Sequence, residues 1–279
     1  MNGLGGDDAG IERPVVIEAS LDNVRSAHVR FLQEAARLGA LHLRVPSDVA
    51  LARTTGSPPH FPAAERLFLA ESLRWVHSAA ITDEPLAEAV ERLADDGAIL
   101  AVPEEDADTM LDLTVRAGLT MRLVSLMSRA GFPLPAATDP PPGMPRVVVT
   151  GCYDWLHSGH VRFLMDAAQF GVLYAVVGSD WNVELLKGPG HPLQHAEERR
   201  YMVGSLRSVH SCLISSGSGW MDAEPEIERI KPAYYVVNED GDQPEKREFC
   251  RARRIEYVVL RRVPHDGLPA RTSTALRGF

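Results

Sequence analysis

This chain of 279 residues is short of cysteine, with three, of aromatic residues, at 6%, and of positive charge, with 29 Lys and Arg against 38 Asp and Glu. Each shortage excludes something. Cys152, Cys212 and Cys250 are too few and too scattered for a disulfide framework or a thiolate metal site, and they fit reduced thiols in a cytoplasm. A formal net charge of −9 argues against a general nucleic-acid binder, which needs a basic face to displace counterions, but allows a small anion in a local basic pocket. No apolar run approaches the roughly 20 residues of a membrane helix, so no membrane partner is expected. The opening MNGLGGDDAG has neither a basic n-region nor an apolar h-region, so residues 1–12 are read as a flexible tail rather than a secretory signal.

What is present is one unit written twice. TGCYDWLHSGHVRFL (150–164) has a blurred twin in EASLDNVRSAHVRFL (18–32). An offset of 132 positions places Val15-Val16-Ile17 on Val147-Val148-Val149, Asp22 on Asp154 and His28 on His160. It also places Ser47-Asp48 on Ser179-Asp180 and Gly56 on Gly188. After a one-residue gap Glu65-Arg66 meets Glu198-Arg199, and Ser72-Leu73-Arg74 meets Ser205-Leu206-Arg207. Order kept over such a stretch marks a tandem duplication. Between the copies, ATDPPPGMP (137–145) can continue neither a helix nor a central strand. The expected organisation is therefore a domain over 13–136, a Pro-rich linker over 137–145 and a second domain over 146–279.

The second copy reads as alternating strands and helices. The β-branched run Arg146–Thr150 predicts a buried strand, and 151–158 a loop. Helical spacing of Val161, Leu164, Met165 and Ala168 predicts a helix over 159–170, stopped by Gly171. Further strands are expected over 173–177, 233–237 and 257–260, with a helix over 197–208. Such alternation predicts an α/β fold, a mainly parallel sheet with helices on both faces, whose ligands bind beyond the carboxyl ends of the strands.

His157-Ser158-Gly159-His160 falls at that edge, where a strand ends and a helix begins. A helix N-terminus offers free N–H groups and partial positive charge to a phosphate, and glycine allows close approach. Two imidazoles three residues apart on a first helical turn can donate hydrogen bonds to one phosphoryl group in transfer. Lys187-Gly188-Pro189 places an ammonium on a turn at the same edge. Glu198-Arg199-Arg200-Tyr201 opens a helix with an arginine that can reach an anion. Arg271-Thr272-Ser273-Thr274-Ala275-Leu276-Arg277 follows a Gly-Leu-Pro turn, with hydroxyls that cap a short helix and suit a polyphosphate.

The ordered set HSGH, KGP, ERRY and RTSTALR resembles the cytidylyltransferase branch of the HxGH nucleotidyltransferase superfamily over essentially all of 146–277. GCYD before LHSGH, then KGP and EERRYMV, looks most like the ethanolamine-phosphate and choline-phosphate cytidylyltransferases. The resemblance implies two tandem Rossmann-like domains and transfer of a nucleotidyl group from CTP to a small phosphomonoester or phosphonate, with release of pyrophosphate. It implies Mg²⁺ held mainly by the triphosphate, without a protein metal site. By the same resemblance, His157 and His160 stabilise the α-phosphate transition state, Lys187 holds triphosphate and acceptor, and Arg199 touches phosphate. Thr272, Ser273 and Thr274, with Arg271 adjoining, cradle the β- and γ-phosphates. Asp154 orients the loop, and Gly151, Cys152, Tyr153, Gly159 and Asp240 fall near the nucleotide. Asp180, Trp220 and Asn238 are the acceptor-side candidates; an aromatic in a loop can wall a cationic or sugar group. The sequence departs from the family in its Thr-Ser-Thr order and in His210-Ser211, where the family has an acidic pair.

The first copy has lost these groups. His157 becomes Arg25, Gly159 becomes Ala27, Lys187 becomes Thr55, and the segment corresponding to RTST reads GFPLPAAT (131–138). Only His28 and Arg66 survive. The first domain is expected to be non-catalytic and to pair with the second as a pseudo-dimer within one chain, which leaves room for further self-association. Two other readings stand beside the cytidylyltransferase. One is an ATP-dependent adenylyltransferase acting on a sugar phosphate, because the enzymes that make ADP-heptose share the GC[FY]D, LHxGH and LKG layout. The other is a non-catalytic nucleotide-binding scaffold.

Overall fold

A computed structural model describes residues 13–136, 138–272 and 276. The N-terminal stretch 1–12, Ser273, Thr274 and the helix expected to be capped there lie outside the described residues. One sheet contains β1 (Val15–Glu18), β2 (Leu41–Pro46), β3 (Val76–Thr82), β4 (Ile99–Pro103) and β5 (Thr120–Val124), in the order β3-β2-β1-β4-β5. The other contains β6 (Arg146–Gly151), β7 (Val172–Val177), β8 (Ser211–Ile214), β9 (Tyr234–Asn238) and β10 (Glu256–Leu260), in the order β10-β9-β6-β7-β8. Both sheets are parallel throughout, and counted from its own first strand each has the order third, second, first, fourth, fifth. The helices between the strands of the first sheet are α1 (Ser26–Ala35), α2 (Asp48–Thr55), α3 (Ala63–Ser72), α4 (Leu86–Asp95) and α5 (Ala107–Ala117). Those of the second are α6 (Ser158–Ala167), α7 (Asp180–Lys187), α8 (Ala196–Gly204), α9 (Glu224–Ile230) and α10 (Pro244–Arg253). This is the Rossmann-like α/β architecture expected of both copies. No helix among the described residues is long and apolar enough to cross a membrane.

Local chemistry explains why both copies fold alike. Val147, Val148 and Val149 are fully buried, as a strand covered on both faces requires. Gly39 and Gly171, with φ of 152° and 146°, precede the second strand of each sheet. A Cβ on Gly39 would lie 2.6 Å from the Arg13 carbonyl oxygen, and one on Gly171 2.1 Å from that of Pro145, so only glycine fits either turn. Ser47 and Ser179 cap α2 and α7 by accepting from the N–H groups of Ala50 and Asn182. The repeated Ser-Asp pair is thus a repeated helix start.

The chain divides into two compact units. Among the described residues, one comprises the chain through Leu21 with Arg30–Ala63 and Trp75–Ala130, and the other Asp22–Val29, Ala64–Arg74 and the chain from Gly131 onward. The start of α1 and nearly all of α3 therefore belong to the second unit. Inside that unit Leu73 and Leu206, both fully buried, form an antiparallel bridge. The Arg74 N–H donates to the Ser205 carbonyl at 3.0 Å, and the Arg207 N–H donates to that of Ser72 at 2.9 Å. Each of these residues has its repeat partner in the same bridge. This also explains why α8 stops at Gly204 rather than continuing to Ser208: the backbone of 205–207 leaves the helix to pair with 72–74.

Candidate active site

The site is built in the second unit, at the carboxyl end of β6. The strand ends at Gly151, where a Cβ would lie 2.8 Å from the Tyr153 ring. Tyr153 itself takes a left-handed φ of 52°, an uncommon conformation for a non-glycine residue, and is buried. The neighbouring Asp154 is buried and accepts from the N–H groups of Leu193, at 2.7 Å, and Gln194, at 3.0 Å. Its carboxylate fixes the loop against 193–194 and faces that backbone rather than the cavity.

The loop delivers two stacked imidazoles. The His157 and His160 ring centroids are 3.9 Å apart with planes at 23°. His157 occupies the N-cap of α6, and its Nδ1 accepts from the Gly159 N–H at 3.1 Å. A Cβ on Gly159 would be 3.0 Å from the His157 ring, so the glycine makes room for the fold-back. With Nδ1 accepting, the neutral ring carries its proton on Nε2, which is buried without a partner among the described residues. His160 Nδ1 is likewise buried and unpartnered among those residues. Burial, helped by the charges of Arg262 and Arg271, lowers the His157 pKa to about 4. Burial, then His157 and Arg262, holds His160 well below the ordinary histidine value. Both rings are neutral at pH 7; His157 keeps its Nε2–H to donate, while the His160 ring is also engaged by the Trp155 backbone.

Beside them opens a cavity of about 430 Å³. Of the residues proposed from sequence, Gly151, Cys152, Tyr153, His160, Lys187 and Thr272 line it, and so do Trp220, Asn238 and Asp240. Lys187 is the last residue of α7 rather than part of a turn, with Gly188 closing the helix behind it. Burial raises the Cys152 thiol pKa, against the pull of Lys187 and Arg199.

His157, Gly159 and Arg271 are close in sequence to lining residues but are not themselves part of the lining. Arg199 and Asp180 also lie outside it. The Arg199 side chain is fully buried, and its three nitrogens donate to the Gln194 carbonyl at 2.8 Å, the Cys152 carbonyl at 2.7 Å and Asp180 Oδ1 at 2.7 Å. The expected contacts of Arg199 with phosphate and of Asp180 with the acceptor are therefore replaced by a mutual ion pair that braces the loop from behind.

Asn182, Asp222, Lys246 and Arg262 add polar and charged side chains to the same cavity wall. Asn182 brackets Gly219 with two hydrogen bonds, of 3.2 and 2.7 Å, and so holds the Trp220 loop at the rim. Arg262 donates to Asp240 at 2.8 Å and to the Arg271 carbonyl at 3.1 Å. Burial lowers the Lys246 pKa and raises that of Asp222. The position of Arg262 just past the last strand was the signal that could have found it, since ligands in open α/β sheets sit beyond the carboxyl ends of strands.

A family profile described as Cytidylyltransferase-like matches residues 148–265. The FAD synthase of Aciduliprofundum boonei is 37% identical over 121 residues, covering 42% of this chain and 78% of that protein. The bifunctional protein HldE of Sulfurimonas denitrificans is 45% identical over 64 residues, or 23% of this chain and 13% of that protein, so only a small part of HldE is spanned. Among solved structures, the lipopolysaccharide core biosynthesis protein from Thermoplasma volcanium GSS1 aligns with a TM-score of 0.37 at 23% identity, over 44% of this chain and all of that one. The chain belongs to the cytidylyltransferase-like nucleotidyltransferases of the HxGH superfamily, and it is an enzyme of the nucleotidyltransferase class.

Proposed function

We propose that the second copy transfers an adenylyl group from ATP to the phosphate of a small acceptor and releases pyrophosphate. The observation that carries this reading is the likeness to FAD synthase across most of that protein's length. FAD is an AMP unit joined through a pyrophosphate bond to a flavin phosphate, so a synthase of FAD joins adenylate to a phosphate ester. CTP, favoured by the GCYD, KGP and ERRYMV layout, takes second place on this ground. A flavin phosphate and a sugar phosphate are the two acceptor classes to test.

In the reaction an ionised oxygen of the acceptor phosphate attacks the α-phosphorus of ATP. The bond to the bridging oxygen breaks, and pyrophosphate leaves with the electron pair. No general base is needed, because the attacking phosphate has already lost its proton at pH 7. The protein contributes position and charge. The neutral Nε2–H of His157 donates to the α-phosphate oxygens as charge builds there, with the His160 ring stacked on it. Lys187 neutralises the triphosphate and the incoming acceptor, and Thr272 addresses the β- and γ-phosphates, with Arg271 next to it held on Glu65.

Among the described residues no three His, Cys, Asp or Glu side chains converge as a metal cage, while Asp222 and Asp240 line the cavity. That donor set fits Mg²⁺ held chiefly by triphosphate oxygens and water, with one or two carboxylates in support. Bound there, the ion would neutralise triphosphate charge. The first copy, spanning 13–136, takes no part in the chemistry. Its surviving His28 uses Nδ1 to accept from the Arg25 N–H at 3.0 Å.

The test is pyrophosphate release from ATP or CTP with FMN, sugar 1-phosphates and phosphoethanolamine as acceptors. Release from ATP with one of the first two classes is expected. Release from CTP alone overturns the adenylyl reading.

A further inference from the structure

Glu65 lies on α3, within the first copy by sequence and within the second compact unit by contact. It is buried, with 3% of its surface exposed, and it is not unpaired. Its Oε1 accepts from the Ser158 hydroxyl, in the middle of the HSGH motif, at 2.6 Å. The Arg271 guanidinium grips the same carboxylate through Nε, at 3.2 and 3.1 Å, and Nη2, at 2.8 Å. One buried anion thus ties the head of α6 to the residue just before Thr272. One helical turn on, Phe68 stacks on His265 with centroids 4.2 Å apart and planes at 18°. Residues three apart share a helix face, so one face of α3 holds the 265–272 segment at two points.

The repeat supplies an internal control. Glu198 corresponds to Glu65 and Ser26 to Ser158, and the Ser26 hydroxyl donates to Glu198 in the same way. In the first copy, however, the segment corresponding to Arg271 is GFPLPAAT, which contains no arginine. The serine–glutamate bond is therefore common to both copies, whereas among the described residues the fork to Arg271 is made by Glu65 and has no counterpart at Glu198.

We propose that Glu65 is a positioning residue for the nucleotide site: through Ser158 and Arg271 it keeps the histidine turn and the 265–272 segment in the single arrangement that lets imidazoles and Thr272 address one triphosphate. The first copy, silent in chemistry, thereby completes the site of the second. The inference rests on the nucleotidyl-transfer reading above and adds a residue that no motif of that reading contains.

Steady-state kinetics of the full chain with ATP and its acceptor test it. Glu65→Gln keeps the shape and the serine bond but removes the charge that Arg271 grips. Loss of a charge-assisted fork predicts a rise in KM for ATP, or a fall in kcat, of about tenfold to a hundredfold, with KM for the acceptor unchanged. Glu65→Asp, which retracts the charge by one methylene, gives the same pattern and serves where the glutamine variant does not fold. If Glu65 acts through Arg271, the double variant E65Q/R271K loses no more than the worse single variant. Glu198→Gln removes the repeat-related charge and leaves kcat and both KM values at the wild-type level.

A folded E65Q or E65D with wild-type kcat and KM for ATP overturns the inference while the functional reading stands. Equal losses in E65Q and E198Q also overturn it, because they mark a general structural role. A wild-type chain that transfers nothing from ATP or CTP overturns the functional reading, and this inference falls with it.

Discussion

At the ends of β1 and β6 the chain takes the same left-handed step, with Leu21 at φ 50° and Tyr153 at φ 52°, both buried. The paths then diverge. After Tyr153 come His157, Gly159 and His160, stacked rings with buried nitrogens that lack partners among the described residues. After Leu21 come Arg25, Ala27 and His28, and the one histidine is occupied by its own loop backbone. What the copies share is scaffold: the left-handed step, Gly39 and Gly171, the serine caps of α2 and α7, and the almost completely buried arginines Arg66 and Arg199. What only the second keeps is the pair of stacked histidines, the glycine between them and the lysine that ends α7. The comparison reassigns Arg199. An arginine retained in the copy that lost its histidine, glycine and lysine serves folding, and the hydrogen bonds of Arg199 to two carbonyls and Asp180 agree.

The largest expected effect tests that reassignment. Arg199→Ala leaves the Gln194 and Cys152 carbonyls without their donors, at about 1–3 kcal/mol each, while Asp180, 41% exposed, adds little, so urea unfolding should show a loss of several kcal/mol. A variant of wild-type stability with a raised KM for ATP would return Arg199 to the nucleotide. Next come the histidines. His157→Ala should lower kcat by roughly 10² to 10³, as loss of one transition-state donor does, and His160→Ala should lower it too. His28→Ala should leave kcat unchanged, and an equal loss there would erase the distinction between the copies.

The third effect is pH-dependent. His157 is held neutral in the folded chain, with its pKa lowered from 6.5 to about 4, while the unfolded chain takes up a proton near 6.5. The unfolded state therefore gains protons first on acidification, and stability falls as pH drops from about 6.5 towards 4. The loss from this residue is on the order of 3 kcal/mol. Urea midpoints at pH 7, 6 and 5 should show the decline, and His157→Gln should flatten it; identical slopes would contradict the burial argument. The smallest effect is a null one. Restoring R25H, A27G and T55K in the first copy should leave kcat unchanged, because residues 131–138 still offer no arginine. A gain would show that those three positions suffice.

Much of the fold was legible because its signals are local. β-branched runs mark strands, and a glycine after each first helix marks a turn that no other residue fits. The histidine turn was legible for the same reason, since His157, Gly159 and His160 are neighbours in sequence. Asn182 and Arg262 were not, because each contributes one side chain from a different element and only folding brings them to one wall. Glu65 lies 206 residues from its partner Arg271, and no spacing rule reaches that far. For Arg199 the sequence leaves the role open, because an arginine at a helix start near an anion site looks the same in sequence whether it faces the ligand or the loop behind it.

The central claim is that the two copies share a scaffold while only the second holds a nucleotide. Calorimetric titration of the full chain with ATP and Mg²⁺ tests it most directly. The account predicts one ATP bound per chain, with affinity reduced by Lys187→Ala and unaffected by His28→Ala. Two ATP per chain, or one whose affinity survives Lys187→Ala and falls with His28→Ala, would contradict it.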